Sequence, residues 1–380
     1  MSVKISLNLP PRGLIIRDFI LTTLAYICRE ADANMEISPT GASVYVESIE
    51  DLARAYAELL KGEEDLLKVK RLSLRSFYPR GERTKRALSV ERLAEHKSWI
   101  EKDITRIRNI IKSITNIEWS GPAGNRVINI GENPNISAPL LFKVNYYSGK
   151  RAFLSSRYRD AKIVMDQNSL LFTCTGATLS YITTLRVEKK RTAIYVPVLD
   201  PGAIELQNAL AEALQEIRGR FAPDVVFKVL IGFKLRVSGM LPLSMIAISE
   251  GSQRPALLFY QEVSVEDRIL RFVKNLSDQS REMIVRLLAF TLRNWDTADK
   301  NQRAIIRTGF ELAQSIYMAS TGAMKPADVI YRLARSTYAT TSDEFGRSLI
   351  EARYSPIRSL DAFRRMILDV REALDRCLAL

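Results

Sequence analysis

The stretch VKISLNLPPRGLIIRDFILTTLAYICREADANMEISPTGASVYVESIEDLARAYAELLK, Val3 to Lys61, decides the fold class. Val3, Ile5 and Leu7 alternate with Lys4, Ser6 and Asn8, the period-two pattern of a half-buried strand. Pro10 and Pro11 end it, and Leu14 to Ala31 then reads as a long, mostly apolar helix. Met35–Ser38 and Ser43–Glu47 flank Pro39-Thr40-Gly41, a hairpin signal. Ser48 with Asp51 is a capping-box variant that opens an amphipathic helix over Ile49–Lys61. Strand, helix, strand, strand, helix makes a small mixed unit at the start of an α+β protein.

Downstream, a helix is expected from about Val90 to Ile114. Residues 118–139 (EWSGPAGNRVINIGENPNISAP) are rich in Gly, Asn and Pro and read as a long ordered loop. Leu140–Tyr147 and Arg151–Ser156, joined at Ser148-Gly149, read as a β-hairpin. The uncharged stretch Gln167–Leu185 reads as a buried helix and Thr192–Val198 as a strand. Asp200-Pro201 sets the cap and first residue of a helix running to about Arg220. Asp224–Arg236 and Pro255–Val263 look like strands. From Ser264, with Asp267 as a second capping box, apolar residues recur at helical spacing: Ile269/Phe272/Val273, Ile284/Leu287/Leu288, Ile305/Ile306/Phe310/Leu312. Further helices start after Lys325-Pro326 and near Ser359. The expected division is a mixed α/β nucleic-acid-binding domain, 1–263, and a C-terminal helical bundle, 264–380.

Two domains suit 380 residues, and 47% apolar with 26% charged residues is ordinary globular composition. Cys28, Cys174 and Cys377 are too far apart for a disulfide framework or a zinc spacing, which fits a reducing compartment. No signal-peptide pattern opens the chain, and the threonines and serines of Gln167–Leu185 argue against a membrane span. A cytoplasmic protein without membrane attachment is expected. The net charge of +13 is uneven: residues 1–67 carry −5, whereas 68–191 carry 25 Lys/Arg against 10 Asp/Glu, or +15. So concentrated an excess attracts a polyanion by steering and counterion release, and nucleic acid is the commonest such partner.

Within that block, 68–86 holds Lys68, Lys70, Arg71, Arg75, Arg80, Arg83, Lys85 and Arg86 against Glu82, with Phe77 and Tyr78 among them. Lys and Arg neutralise phosphates, and an exposed ring stacks on an unpaired base for about 1–3 kcal/mol. The alternative is a solvated charged loop whose two aromatics are core. Residues 143–162 set Lys143, Lys150, Arg151, Arg157, Arg159 and Lys162 against Asp160, interleaved with Tyr146, Tyr147, Phe153 and Tyr158. A twisted basic ribbon can enter a groove, although alternation alone would also bury the aromatics and expose the cations. Between them, Gly121 and Gly124 allow close backbone approach, and Asn125, Arg126 and Asn129 are candidates for reading base edges. No Gly-Lys-Ser/Thr closes this loop as a Walker A motif.

Groups for chemistry are sparse. His96, near Trp99, is the only histidine, and neither a Gly-x-Ser-x-Gly elbow nor a dinucleotide fingerprint occurs. Neither cofactor nor metal is expected. The alternative is a metal-dependent nuclease using Asp160, Lys162 and Asp166, although two-metal hydrolysis needs several facing carboxylates and this stretch is otherwise basic. Asp296 and Asp299 read as helix-start charges.

Four strings also carry a resemblance: the opening VKISLNLPPRGLIIRDFILTTLAYI, the basic SFYPRGERTKRALSVERL and LLFKVNYYSGKRAFLSSRYRD, and the helical VIYRLARSTYATTSDEFGRSLIEARYSP. With their layout over nearly the whole chain, they resemble the large subunit of a CRISPR type I-A interference complex, an archaeal Cascade. That resemblance implies a non-catalytic scaffold that contacts guide RNA and target DNA among other complex subunits. It would check the protospacer-adjacent motif and leave cutting to a separate helicase and nuclease.

Overall fold

A computed structural model describes residues 3–10, 12–70, 119–120, 127–131, 134–138, 142, 162–187, 190–215, 224–250, 256–295, 300–325, 327–328, 331, 357 and 359–378. The protein is of the α+β class. Its chain forms two compact units, Met1–Thr183 with Thr192–Gln207 and Pro242–Gln261, and Thr184–Arg191 with Asn208–Leu241 and Glu262–Leu380.

The first unit opens with β1 (Val3–Asn8), α1 (Ile15–Glu30), β2 (Asn34–Ile37), β3 (Gly41–Val46) and α2 (Ile49–Lys70). The strands pair antiparallel in the order β1-β3-β2. Leu7, Ala42, Val44 and Val46 are buried in one core with residues of α1 and α2, while Lys4 and Ser6 are exposed. The expected cap forms: Asp51 N–H donates to Ser48 Oγ at 3.2 Å. Buried Arg17 donates to the carbonyls of Pro10 (2.7 Å), Ser38 (2.7 Å) and Pro39 (2.9 Å), so α1 holds both turns that flank the sheet.

Next come β4 (Trp119–Ser120), β5 (Val127–Ile130), β6 (Ile136–Ser137) and β7 (Lys162–Met165), a sheet of order β4-β5-β7-β6 in which only β5 and β7 are parallel. Then α3 (Gln167–Ser180) packs on α1 and α2. From Ser169 onward every residue of α3 is buried. Its hydroxyls tolerate this by donating one turn back, from Thr173, Thr175, Thr178 and Ser180 to the carbonyls of Ser169, Leu171, Cys174 and Gly176 at 2.6–3.1 Å. A third sheet has the order β11-β10-β9-β8, from β8 (Tyr181–Val187), β9 (Lys190–Tyr195), β10 (Gly239–Glu250) and β11 (Ala256–Val265). Between β9 and β10 lie α4 (Ile204–Gln215) and α5 (Asp224–Leu235).

The second unit is mainly helical. α6 (Asp267–Lys274), α7 (Asp278–Asn294) and α8 (Lys300–Ser320) bury the apolar stripes expected of them apart from half-buried Phe310, α9 (Leu360–Leu378) follows, and α5 packs on α6, α7 and α8. Ile269, Phe272, Ile284, Leu287, Leu288, Ile305 and Leu312 are all buried. The Ser359 hydroxyl accepts from Ala362 N–H at 3.1 Å and marks the expected start of α9.

Several local expectations are corrected. Asp224–Leu235 is a helix, not a strand. A continuous apolar run does not distinguish a buried helix from a buried strand, and Val226, Phe227, Val229, Leu230 and Phe233 are buried at helical spacing. Residues 118–139 contain three short strands instead of one loop, because β5 finds its partner in the distant β7. The buried helix stops at Ser180, and the β-branched Ile182, Thr183 and Thr184 continue as strand β8. Ser264 is part of β11, and α6 starts after Glu266 without a side-chain cap. Asp200 caps a short 3-10 turn, Pro201–Ala203, before α4 begins. The expected helix at Val90–Ile114 lies outside the described residues. So does the expected hairpin apart from Phe142, which is in a 3-10 turn.

Candidate nucleic-acid interface

α2 continues nine residues past the expected end at Lys61, so Lys68 and Lys70 occupy its last turn. The candidates from Arg71 to Arg126 and from Lys143 to Arg159 lie outside the described residues.

Asn129 and Lys162 are described, and both are strand residues. Val127 pairs with Lys162 and Asn129 with Val164 in the parallel β5/β7 ladder. Two motifs that are separate in sequence are thus neighbours in one sheet. Ile130, Ile163 and Met165 are fully buried and join the sheet to the core beneath it. Phe142, next to candidate Lys143, is buried with its ring 5.9 Å from that of Phe19.

At the other end of β5 and β7, Asp166 N–H donates to Ile130 O at 2.9 Å, and Asp166 Oδ1 accepts from Ser169 N–H at 2.6 Å as the N-cap of α3. Gly131 has φ +97°, and a β-carbon there would lie 1.8 Å from Asp166 Oδ2, so only glycine fits. Asp166 of the nuclease alternative is therefore a buried helix cap. Asp160 of that alternative lies outside the described residues. Among the described residues no three His, Cys, Asp or Glu side chains converge as a metal site. Burial pushes the Cys28 thiol up to about 12, so it is not an activated nucleophile at neutral pH.

A polar stripe along α1 was missed by sequence reasoning. Asp18 Oδ2 accepts from Ser244 Oγ (2.8 Å) and Tyr260 OH (2.9 Å). Thr22 Oγ1 accepts from Ser180 Oγ (3.2 Å) and Val198 N–H (3.0 Å). Tyr26 OH donates to Gln207 Oε1 (2.6 Å), and burial holds that phenol protonated, its pKa raised to about 12. Arg29 meets Glu205 at 3.3 Å. Spacings of four, four and three place these residues on one helix face, where they fasten 192–207 and 242–261 to α1. The visible signal was the Arg17-Asp18 pair inside an apolar helix, since buried charges need partners.

No protein-family model matches the chain, and no curated protein is significantly similar to it. Among the described residues, no helix is long and apolar enough to cross a membrane.

Proposed function

We propose that this chain is a non-catalytic nucleic-acid-binding subunit of a CRISPR guide-RNA interference complex. It contacts guide RNA and target DNA beside other subunits, checks the protospacer-adjacent motif, and leaves cutting to a separate helicase and nuclease. The observation that carries the binding reading is the +15 block at 68–191 in a chain whose remaining residues net −2. The resemblance in its four long strings supports the guide-RNA setting, in which base pairing reads the target and protein reads the short adjacent motif.

The test is a salt titration of binding to a duplex DNA and to a single-stranded RNA of the same sequence. Reversing Arg75, Arg83 and Arg86 to glutamate should weaken binding to every sequence and reduce the slope of log affinity against log salt by about one per lost contact. An unchanged slope would refute the assignment of 68–86. Purification from native cells, with sequencing of the bound RNA, tests the complex: guide RNAs are expected, and bulk cellular RNA would count against it.

A further inference from the structure

Among the described residues β1 pairs with β3 alone, at one edge of the first sheet. The ladder fixes which of its backbone groups face away from β3. Leu9 N–H donates to Thr40 O at 3.0 Å, one step beyond the Asn8–Gly41 pair. Bonded and non-bonded pairs alternate in an antiparallel ladder. Val3, Ile5 and Leu7 therefore bond to β3, and Lys4, Ser6 and Asn8 turn their N–H and C=O groups to the outer edge. Those three residues are also exposed. On the core face Leu7 and Leu9 are buried, but Ile5 is only half-buried and Val3 is 36% exposed. The apolar row of β1 is thus left uncovered toward Val3. A strand of six residues with such an edge is a template for one more strand. The other edge strand, β2, has only four.

We infer that β1 pairs with β1 of a second copy of this chain, antiparallel about a two-fold axis through Ser6. The two sheets join in the order β2-β3-β1-β1-β3-β2. Self-complementarity identifies the occupant. An axis normal to the sheet at Ser6 sets Lys4 opposite Asn8 of the second copy, and Ser6 opposite its own counterpart. Each outward N–H then meets an outward C=O. Lys4 is the one charged residue of β1, and this register gives it a neutral amide as neighbour. An axis at Lys4 would oppose two ammonium groups, which is unfavourable across a strand pair. Pro10, the next outward position, has no N–H, so the ladder stops at Asn8 and its midpoint falls on Ser6. The same register sets Val3 opposite Leu9 and Ile5 opposite Leu7. Because the axis is normal to the sheet, both core faces lie on one side, and the two least covered residues of the row gain apolar neighbours. The pairing involves the first unit and is independent of nucleic-acid binding.

The experiment is sedimentation velocity on the full chain. A single ladder buries less than about 1,200 Å², the size of weak, reversible complexes. The dimer fraction should therefore rise between about 1 and 200 μM. Ser6→Pro should abolish that rise and keep the fold, since the N–H it removes does not bond to β3 and proline is tolerated on the open side of an edge strand. Circular dichroism and the melting curve check the fold. Ser6→Cys gives a second readout. Facing Cα atoms in a bonded pair lie about 5.5 Å apart, within disulfide reach, so mild oxidation should link two copies through position 6. Lys4→Cys should not link above the parent chain, because its two copies stand four residues apart along the ladder, about 14 Å. If Ser6→Pro fails to fold, this positional contrast decides alone. A chain that stays monomeric throughout, a dimer that survives Ser6→Pro in folded protein, or equal linking from positions 4 and 6 would overturn the pairing. Should position 6 link only to a different protein in cell extract, the edge serves a foreign strand and the self-pairing also falls.

Discussion

A β-carbon on Gly176 would lie 1.8 Å from the Phe19 carbonyl oxygen, closer than any atoms pack, so α1 and α3 touch through bare backbone at this point. Thr23 of α1 uses that closeness, its hydroxyl donating to Phe172 O of α3 at 2.8 Å. Gly176→Ala should force the helices apart and cost the first unit about 1–3 kcal/mol, the usual range for overpacking a core. Chemical denaturation measures it, and an unchanged midpoint would show that the helices separate freely. At this scale the sequence was half legible. The Arg17-Asp18 pair in an apolar run was a signal left unread, and Ser244 is 226 residues from Asp18, a distance that no local pattern encodes. Asn129 was misplaced for the same reason. Its partner Val164 lies beyond a long intervening segment, so a strand of four residues looked like loop.

Elements with local signals were legible. β1, α1, the β2–β3 hairpin and the start of α2 follow from alternation, length, turn residues and a cap, all short-range physics. α5 failed because an apolar run buried on several sides shows no polar face, and its neighbours α6, α7 and α8 come later in the chain. The N-terminus of α7 shows an element held by one side chain. Ser277 caps it by accepting from Ser280 N–H at 3.3 Å, and Asp369 of α9 accepts from Ser277 Oγ (2.5 Å) and Ser277 N–H (3.0 Å). Burial pushes the Asp369 carboxyl up, but the bonds from Ser277 and Ser280, with Arg376 nearby, outweigh it, so its pKa sits below the ordinary 3.8. A carboxyl with a lowered folded-state pKa adds stability that is fully present above 3.8 and lost as pH falls through the folded value. Asp369→Asn should therefore lower the melting temperature at neutral pH and shrink the gap to the parent protein as acid is added. A gap that stays constant down to the acid end would refute the coupling. Ser277→Ala, which also removes the cap, should cost about 1 kcal/mol.

Over the whole molecule, charge was the most legible property, and its placement along the chain matters more than its sum. Residues 1–67 carry −5, 68–191 carry +15 and 264–380 carry +4. Binding driven by net charge alone would respond equally to any three lost cations, whereas binding through a local phosphate track responds only to cations on that track. The second unit supplies the control. Arg303 at the start of α8, and Arg364 and Arg365 on α9, are exposed. Arg364 reaches Asp361 at 3.6 Å with both side chains mostly in solvent, a pairing worth little. Glutamate at 303 places a negative charge near the positive end of α8, so that change should stabilise the helix slightly. The triple variant Arg303→Glu, Arg364→Glu, Arg365→Glu therefore changes the net charge by the same six units as reversal of Arg75, Arg83 and Arg86, with little effect on packing. Its affinity for nucleic acid should fall less than about threefold at physiological salt, where exposed charges beyond about 8 Å are screened. Its salt slope should match that of the parent chain. An equal loss of slope in both variants, read from the same salt titration, would mean that the protein attracts nucleic acid by its overall charge and that 68–191 holds no privileged track.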